Sequence, residues 1–210
     1  MPDSFRIAVL ISGGGTTLKN LIEVAGNGGL AAEFALVLAS REDAGGLQFA
    51  READIPEAVV SHRDHADVDS FSQAVWQQLN SASPDLVVMG GFLRRLLIPP
   101  EWTHRVINIH PSLIPAFCGA GFYGRKVHQG VIDYGCRVSG CTVHFVDDQY
   151  DHGPIIAQAT VPVLPDDTAE KLAARVFEQE CQLYPRVINA LAKGQVSISG
   201  RQVRWEPADG

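Results

Sequence analysis

Residues 5–26 read FRIAVLISGGGTTLKNLIEVAG, and the fold class turns on how this stretch is parsed. The run FRIAVLI, residues 5–11, is short and apolar without strict alternation, the pattern of a strand buried on both faces. SGGGTT breaks the run. LKNLIEVAG, residues 18–26, then carries apolar residues at helical spacing up to a glycine stop. Strand, glycine turn and helix in that order form the opening unit of an α/β sheet.

The unit recurs along the first half. EFALVLAS (33–40) reads as a second buried strand, GLQFAREAD (46–54) as a short helix and EAVVS (57–61) as a third strand. DSFSQAVWQQLN (69–80) is an amphipathic helix, PDLVVMGG (84–91) a fourth strand and HRVINIH (104–110) a fifth. The pattern predicts an α/β fold with a mostly parallel, twisted, Rossmann-like sheet and helices on both faces. The second half changes character. GFYGRKVHQGVIDYG (121–135) reads as a helix, and CRVSGCTVHFVDD (136–148) as a long strand paired with PIIAQATVPV (154–163), an antiparallel addition. Residues 169–194 form a long helix with a candidate bend at Pro185, and VSISGRQVRW (196–205) resembles a hairpin. No internal repeat or linker interrupts the chain. A single domain over 1–210 is therefore expected, with a first half of 1–105 and a second of 106–210.

Composition narrows the function classes. The net charge is −7 and no basic block occurs, which argues against a nucleic-acid groove. The cysteines, Cys118, Cys136, Cys141 and Cys181, contain no CxxC pair, so neither a zinc ribbon nor a redox motif is indicated, and reduced core thiols are expected. The start has no basic segment before its short apolar run, and no run approaches bilayer length; a cytoplasmic protein without a membrane partner is expected. Nothing in the sequence specifies an oligomeric state.

The glycine turn allows two readings. Consecutive glycines let backbone N–H groups approach a ligand, and the helix start adds partial positive charge, which suits a phosphate. The same turn also serves as ordinary wiring between strand and helix. A P-loop string GxxxxGK[ST] is missing, and a dinucleotide fingerprint would need glycine where Leu18 stands and an acid where the second strand ends at Ser40-Arg41. A monophosphate fits better than a dinucleotide.

The stretch INIHPSLIPAF, residues 107–117, places Asn108 and His110 two apart at a strand end, so both side chains share one side. Asp151 lies in the turn DDQYDHGP that follows a later strand. Singly, His110 reads as a satisfied structural histidine and Asp151 as a turn former. Together, a carboxylate beside an imidazole favours the charged ring, and a protonated histidine with an asparagine amide offers two donors to a tetrahedral oxyanion. No GxSxG elbow and no cysteine with an evident base is present, so direct attack by a substrate nucleophile fits better than covalent catalysis. On the last helix Leu172, Val176, Leu183 and Val187 form one stripe, with Glu180 inside it. A glutamate there either finds an internal salt-bridge partner or faces a ligand.

LISGGGTTL, GGFLRRL, INIHPSLIPAF, GCTVHFVDDQYDHGPII and ARVFEQECQLYP together resemble the folate-dependent formyltransferases, specifically the glycinamide ribonucleotide transformylase branch of purine synthesis. The resemblance covers nearly the whole chain. It implies transfer of a formyl group from 10-formyltetrahydrofolate, as co-substrate, to the amine of glycinamide ribonucleotide, with no metal. It further implies that Asn108 and His110 stabilise the oxyanion while Asp151 keeps His110 charged and oriented and orders a relay water. By the same resemblance Gly15, Thr16 and Thr17 bind the ribose phosphate, and Glu180 binds the substrate. The resemblance also implies that Leu93, Arg94 and Leu96 line the folate pocket, with Asp147, Asp148, Gln149 and Tyr150 in a loop over the pteridine.

Several departures accompany the likeness. The usual loop reads SGNGSN, so Gly14, Thr16 and Thr17 replace asparagine, serine and asparagine. The segment FCGAGFYGRKVHQG is longer than the common FPGxHxHR form, with His128 matching one of its histidines. The arginine that some members place near the start of helix 69–80 is missing, and Arg63 is the basic residue expected to stand in. Methionyl-tRNA formyltransferases add a C-terminal barrel, and formyltetrahydrofolate deformylases an HHSFLP motif; HPSLIP in a chain of 210 residues points to neither. A non-catalytic folate- or nucleotide-binding module is the alternative from another class.

Overall fold

A computed structural model describes residues 4–205. The chain divides into two compact units, residues 1–107 and 108–210.

The first unit is built on β1 (Arg6–Ile11), followed by α1 (Thr16–Gly26), β2 (Glu33–Ala39), α2 (Leu47–Glu52), β3 (Glu57–Val59), α3 (Val68–Ala82) and β4 (Leu86–Met89). The strand order is β3-β2-β1-β4, with β1 parallel to both β2 and β4 and β3 parallel to β2. Every residue from Ile7 to Ile11 is 0% exposed, so β1 is covered on both faces, which explains its lack of alternation. Burying side chains such as Leu10, Leu18, Leu38 and Leu79 stabilises the unit by about 1.5–3 kcal/mol each. Helix α3 begins one residue earlier than its apolar pattern suggests. Asp67 caps it, accepting from the Ser70 N–H at 2.8 Å in a reciprocal capping box. Trp76 on that helix donates from Nε1 to the carbonyl of Leu97 at 2.7 Å. Strand β5 (Val106–His110) crosses from the first unit into the second.

The second unit carries α4 (Arg125–Tyr134), β6 (Val138–Phe145), β7 (Ile155–Pro162), α5 (Ala169–Ala192) and the hairpin β8 (Val196–Ser199) and β9 (Gln202–Trp205). Strands β6 and β7 pair antiparallel, as the alternation in the second half predicts. The stripe Leu172, Val176, Leu183 and Val187 on α5 is buried, and that helix packs on β6 and β7. Two expectations need correction. Helix α4 starts at Arg125 rather than Gly121, because Gly121 and Gly124 hold φ of 92° and 52°, outside the helical region. Strand β6 is shorter than residues 136–148. Helix α5 carries Pro185 within it.

Candidate functional site

In the first unit the glycine loop joins β1 to α1. Gly15 takes φ +70°, and a Cβ built on it would stand 2.5 Å from the Cα of Gly46, so only glycine fits. The Gly46 N–H donates to the carbonyl of Gly13 at 3.0 Å, fastening the loop from behind. Gly13, Gly14 and Thr16 are exposed, and α1 opens without a side-chain cap. Its first-turn amides therefore have no side-chain acceptor of that kind.

Behind the loop, Ser12 is buried and ties three segments together. Its hydroxyl shares a 2.7 Å hydrogen bond with Ser40 and accepts from the N–H of Leu93 at 2.9 Å, while its N–H donates to the carbonyl of Gly91 at 3.1 Å. Leu93 is 54% exposed and Arg94 is exposed, whereas Leu96 is core at 3%. Arg63 lies exposed in the short turn His62–Asp64 ahead of α3.

In the second unit Asn108, His110 and Asp151 come together. The Nδ1 of His110 lies 3.4 Å from Oδ2 of Asp151, and its Nε2 donates to the carbonyl of Phe117 at 2.9 Å. A carbonyl has no proton to give, so Nε2 carries hydrogen and Nδ1 is the exchangeable position. Asp151 holds a left-handed φ of 51°, which aspartate tolerates, and its Oδ2 also accepts from the Gly119 N–H at 2.9 Å. The turn closes on Gly153, where a Cβ would sit 1.9 Å from the carbonyl of Phe145.

His144, which the sequence reading passes over, completes the cluster. It is buried on β6 at 2% exposure, donates from Nδ1 to the carbonyl of Phe145 at 2.7 Å and accepts at Nε2 from the amide of Asn108 at 3.3 Å. The same Nε2 lies 3.7 Å from Oδ1 of Asp151. The only sequence signal for it is a polar residue in the run TVHFV, unremarkable in an alternating strand.

The electrostatics correct one expectation. Burial pushes His110 below the ordinary histidine value of 6.5, and the neighbouring Asp151 only partly offsets that. Burial thus outweighs the pull of the carboxylate toward the charged ring. Burial pushes Asp151 upward, but His144, His110 and the Gly119 N–H together outweigh it and leave its carboxyl below the usual 3.8. His128, on α4, is likewise held low by burial and by His110, and its Nδ1 is buried without a partner.

Glu180 lies half-buried on α5, and burial lifts its carboxyl to about 7. No salt-bridge partner for it occurs among the described residues. The loop after β6 is braced by Asp147, which accepts from the Gln149 N–H at 2.9 Å and pairs with His152 at 2.7 Å, while Asp148, Gln149 and Tyr150 are exposed. No group of three or more metal-ligating side chains occurs among the described residues.

Comparison with known proteins follows the same lines. The model of the formyl transferase family matches residues 5–188. A protein of Vigna unguiculata named chloroplastic phosphoribosylglycinamide formyltransferase is 40% identical over 195 residues, covering 91% of this chain but 62% of its own length. The phosphoribosylglycinamide formyltransferase of Haemophilus influenzae is 37% identical over 197 residues, covering 92% of this chain and 90% of its own. Among solved structures, glycinamide ribonucleotide transformylase 1 from Symbiobacterium toebii superposes with a TM-score of 0.90 at 37% identity, covering 98% of this chain and 95% of that one. The chain thus spans less than two thirds of the plant relative and nearly all of the bacterial ones.

Proposed function

Since the chain belongs to the formyl transferase family, we propose that it moves a formyl group from 10-formyltetrahydrofolate to the amine of glycinamide ribonucleotide, a step of purine synthesis. The observation that carries this reading is the part-buried cluster of Asn108, His110 and Asp151, with His110 Nδ1 3.4 Å from the carboxylate. The bacterial relatives of nearly equal length, named for this reaction, support the choice of substrates.

The amine nitrogen attacks the formyl carbon, and the carbonyl electrons move onto oxygen. Asn108 has one amide N–H committed to His144 and a second left to donate to that oxyanion. His110 takes up at Nδ1 the proton that the attacking amine sheds, because the adjacent oxyanion offsets the burial that disfavours the charged ring, and hands it on to the folate nitrogen as the centre collapses. Asp151 then faces an imidazolium. The carbon–nitrogen bond to the folate breaks as the tetrahedral centre collapses, and the proton shed by the amine ends on the folate nitrogen.

In this reading residues 1–105 serve the phosphate, through Gly15, Thr16 and Thr17, and residues 106–210 carry the catalytic and folate-binding parts. Glu180 meets the substrate, Leu93, Arg94 and Leu96 line the pteridine pocket, and Asp147, Asp148, Gln149 and Tyr150 cover it. The partners are two small molecules. A reducing, cytoplasmic setting is supported by the four free cysteines.

The test is an absorbance assay of folate deformylation with and without glycinamide ribonucleotide. Turnover is expected only with the amine present, and is expected to vanish in His110→Ala. Equal turnover without the amine would overturn the reading in favour of a hydrolase.

A further inference from the structure

Phe117 has φ +50°, a left-handed conformation disfavoured for a bulky residue, so something holds it there. Its ring meets those of Phe122 and Tyr134 edge-on, at centroid distances of 6.2 and 6.0 Å. Helix α4 leaves room for it at Gly130, where a Cβ would lie 3.2 Å from Cδ1 of Phe117 and 3.3 Å from Cε1 of Phe122. The backbone set by this anchoring touches the reactive pair twice. The carbonyl of Phe117 accepts the Nε2–H of His110 at 2.9 Å, and two residues on the Gly119 N–H donates to Oδ2 of Asp151 at 2.9 Å. That Oδ2 is the oxygen facing His110 Nδ1.

We propose that residues 117–119 form a positioning arch, in which the ring of Phe117, lodged against Phe122, Tyr134 and the bare face of Gly130, fixes which nitrogen of His110 bears the resident proton. The proposal rests on the assignment of His110 and Asp151 above. A neutral imidazole has one hydrogen to place. Beside a carboxylate, that hydrogen is drawn to Nδ1, where it would donate to Asp151 and leave the basic lone pair on Nε2, turned toward the Phe117 carbonyl. The Phe117 carbonyl holds it on Nε2 instead and reserves Nδ1. The other titratable groups that act on or feel the ring are His144 from β6 and His128 from α4.

The arch is tested by nitrogen NMR of the histidine-labelled full chain, together with steady-state kinetics. In the wild type the His110 signals are expected to report a protonated Nε2 and a bare Nδ1. Phe117→Ala is expected to introduce the Nδ1–H tautomer and to lower kcat by about tenfold to 10²-fold with little change in either KM. Phe117→Tyr, which keeps the ring, restores both. Gly130→Ala presses on the same rings from a helix that alanine favours, so it is expected to give the same signature more weakly with an unchanged or higher Tm. Wild-type tautomer signals in both Phe117→Ala and Gly130→Ala would overturn the arch, whatever the rates. A wild-type rate in His110→Ala would instead overturn the site assignment beneath it.

Discussion

Asn108 donates its side-chain amide to Nε2 of His144 across 3.3 Å, and the other nitrogen of that ring is spent on the carbonyl of Phe145. The imidazole thus acts as a fixed acceptor that sets the plane of the asparagine amide, the group expected to donate to the oxyanion. His144→Ala is expected to lower kcat by about 10–10²-fold with little change in KM, whereas Asn108→Ala, which deletes the donor, costs about 10²–10³. Equal KM increases in place of kcat losses would show that the pair serves binding only.

The titration of His110 predicts the acid side of the pH profile. Its folded value lies below 6.5, so the unfolded chain binds the proton more tightly and the folded ring stays neutral as pH falls through 6.5. The free enzyme's kcat/KM is expected to hold to below pH 6.5 before declining. The contribution of this group to stability is lost over the same descent. A limb above 6.5 that disappears in His110→Gln would contradict the neutral resting ring.

Glu180 runs the other way. Its carboxyl is raised from 4.5 to about 7 by burial, so the folded state holds a proton that the unfolded state releases, and stability falls as pH rises from 4.5 to 7. Glu180→Gln is expected to be more stable than the wild type by about 2–3 kcal/mol at pH 8, with the gap closing near pH 4.5. Denaturant melts at the two pH values measure it. The same variant is expected to raise the KM for the amine substrate, since a stabilising loss of function is the mark of a group kept for binding.

At the glycine loop, Gly15→Ala meets a left-handed backbone and a 2.5 Å approach to the Cα of Gly46 at once. The left-handed conformation alone costs about 1–2 kcal/mol. The expected result is a lowered Tm together with a raised KM for the phosphate-bearing substrate and an unaltered KM for the folate. A matched rise in both would mean that the loop serves the fold rather than the phosphate.

Sequence reasoning reached furthest where local pattern sufficed. The non-alternating run at residues 5–11 foretells a strand covered on both faces, and the two-residue spacing of Asn108 and His110 foretells a shared side on β5. Asp151 joins His110 through its place in a turn after a strand and through the chemistry the two make together, and the resemblance makes that pairing specific, because nothing local ties residue 110 to residue 151. His144 was missed because a lone histidine in an alternating strand gives no sign of which neighbour it will meet across the sheet. The weight of burial at His110 is not legible in the sequence, because a carboxylate partner can be guessed from a motif, whereas burial depends on the packing of the whole unit. The carbonyl of Phe117 lay beyond reach altogether, since a backbone atom leaves no letter in the sequence.

The contact between Gly15 and Gly46 has a bearing on how the loop can vary. Its curvature is moulded by main chain pressed on main chain, with no side chain of its own involved. Residues 16 and 17 are thereby released from shaping the turn, and the side chain of Thr17 instead lies against Gly90, where an added Cβ would stand 3.3 Å from its own. The vocabulary of the loop is free while its grammar is enforced from the start of another helix.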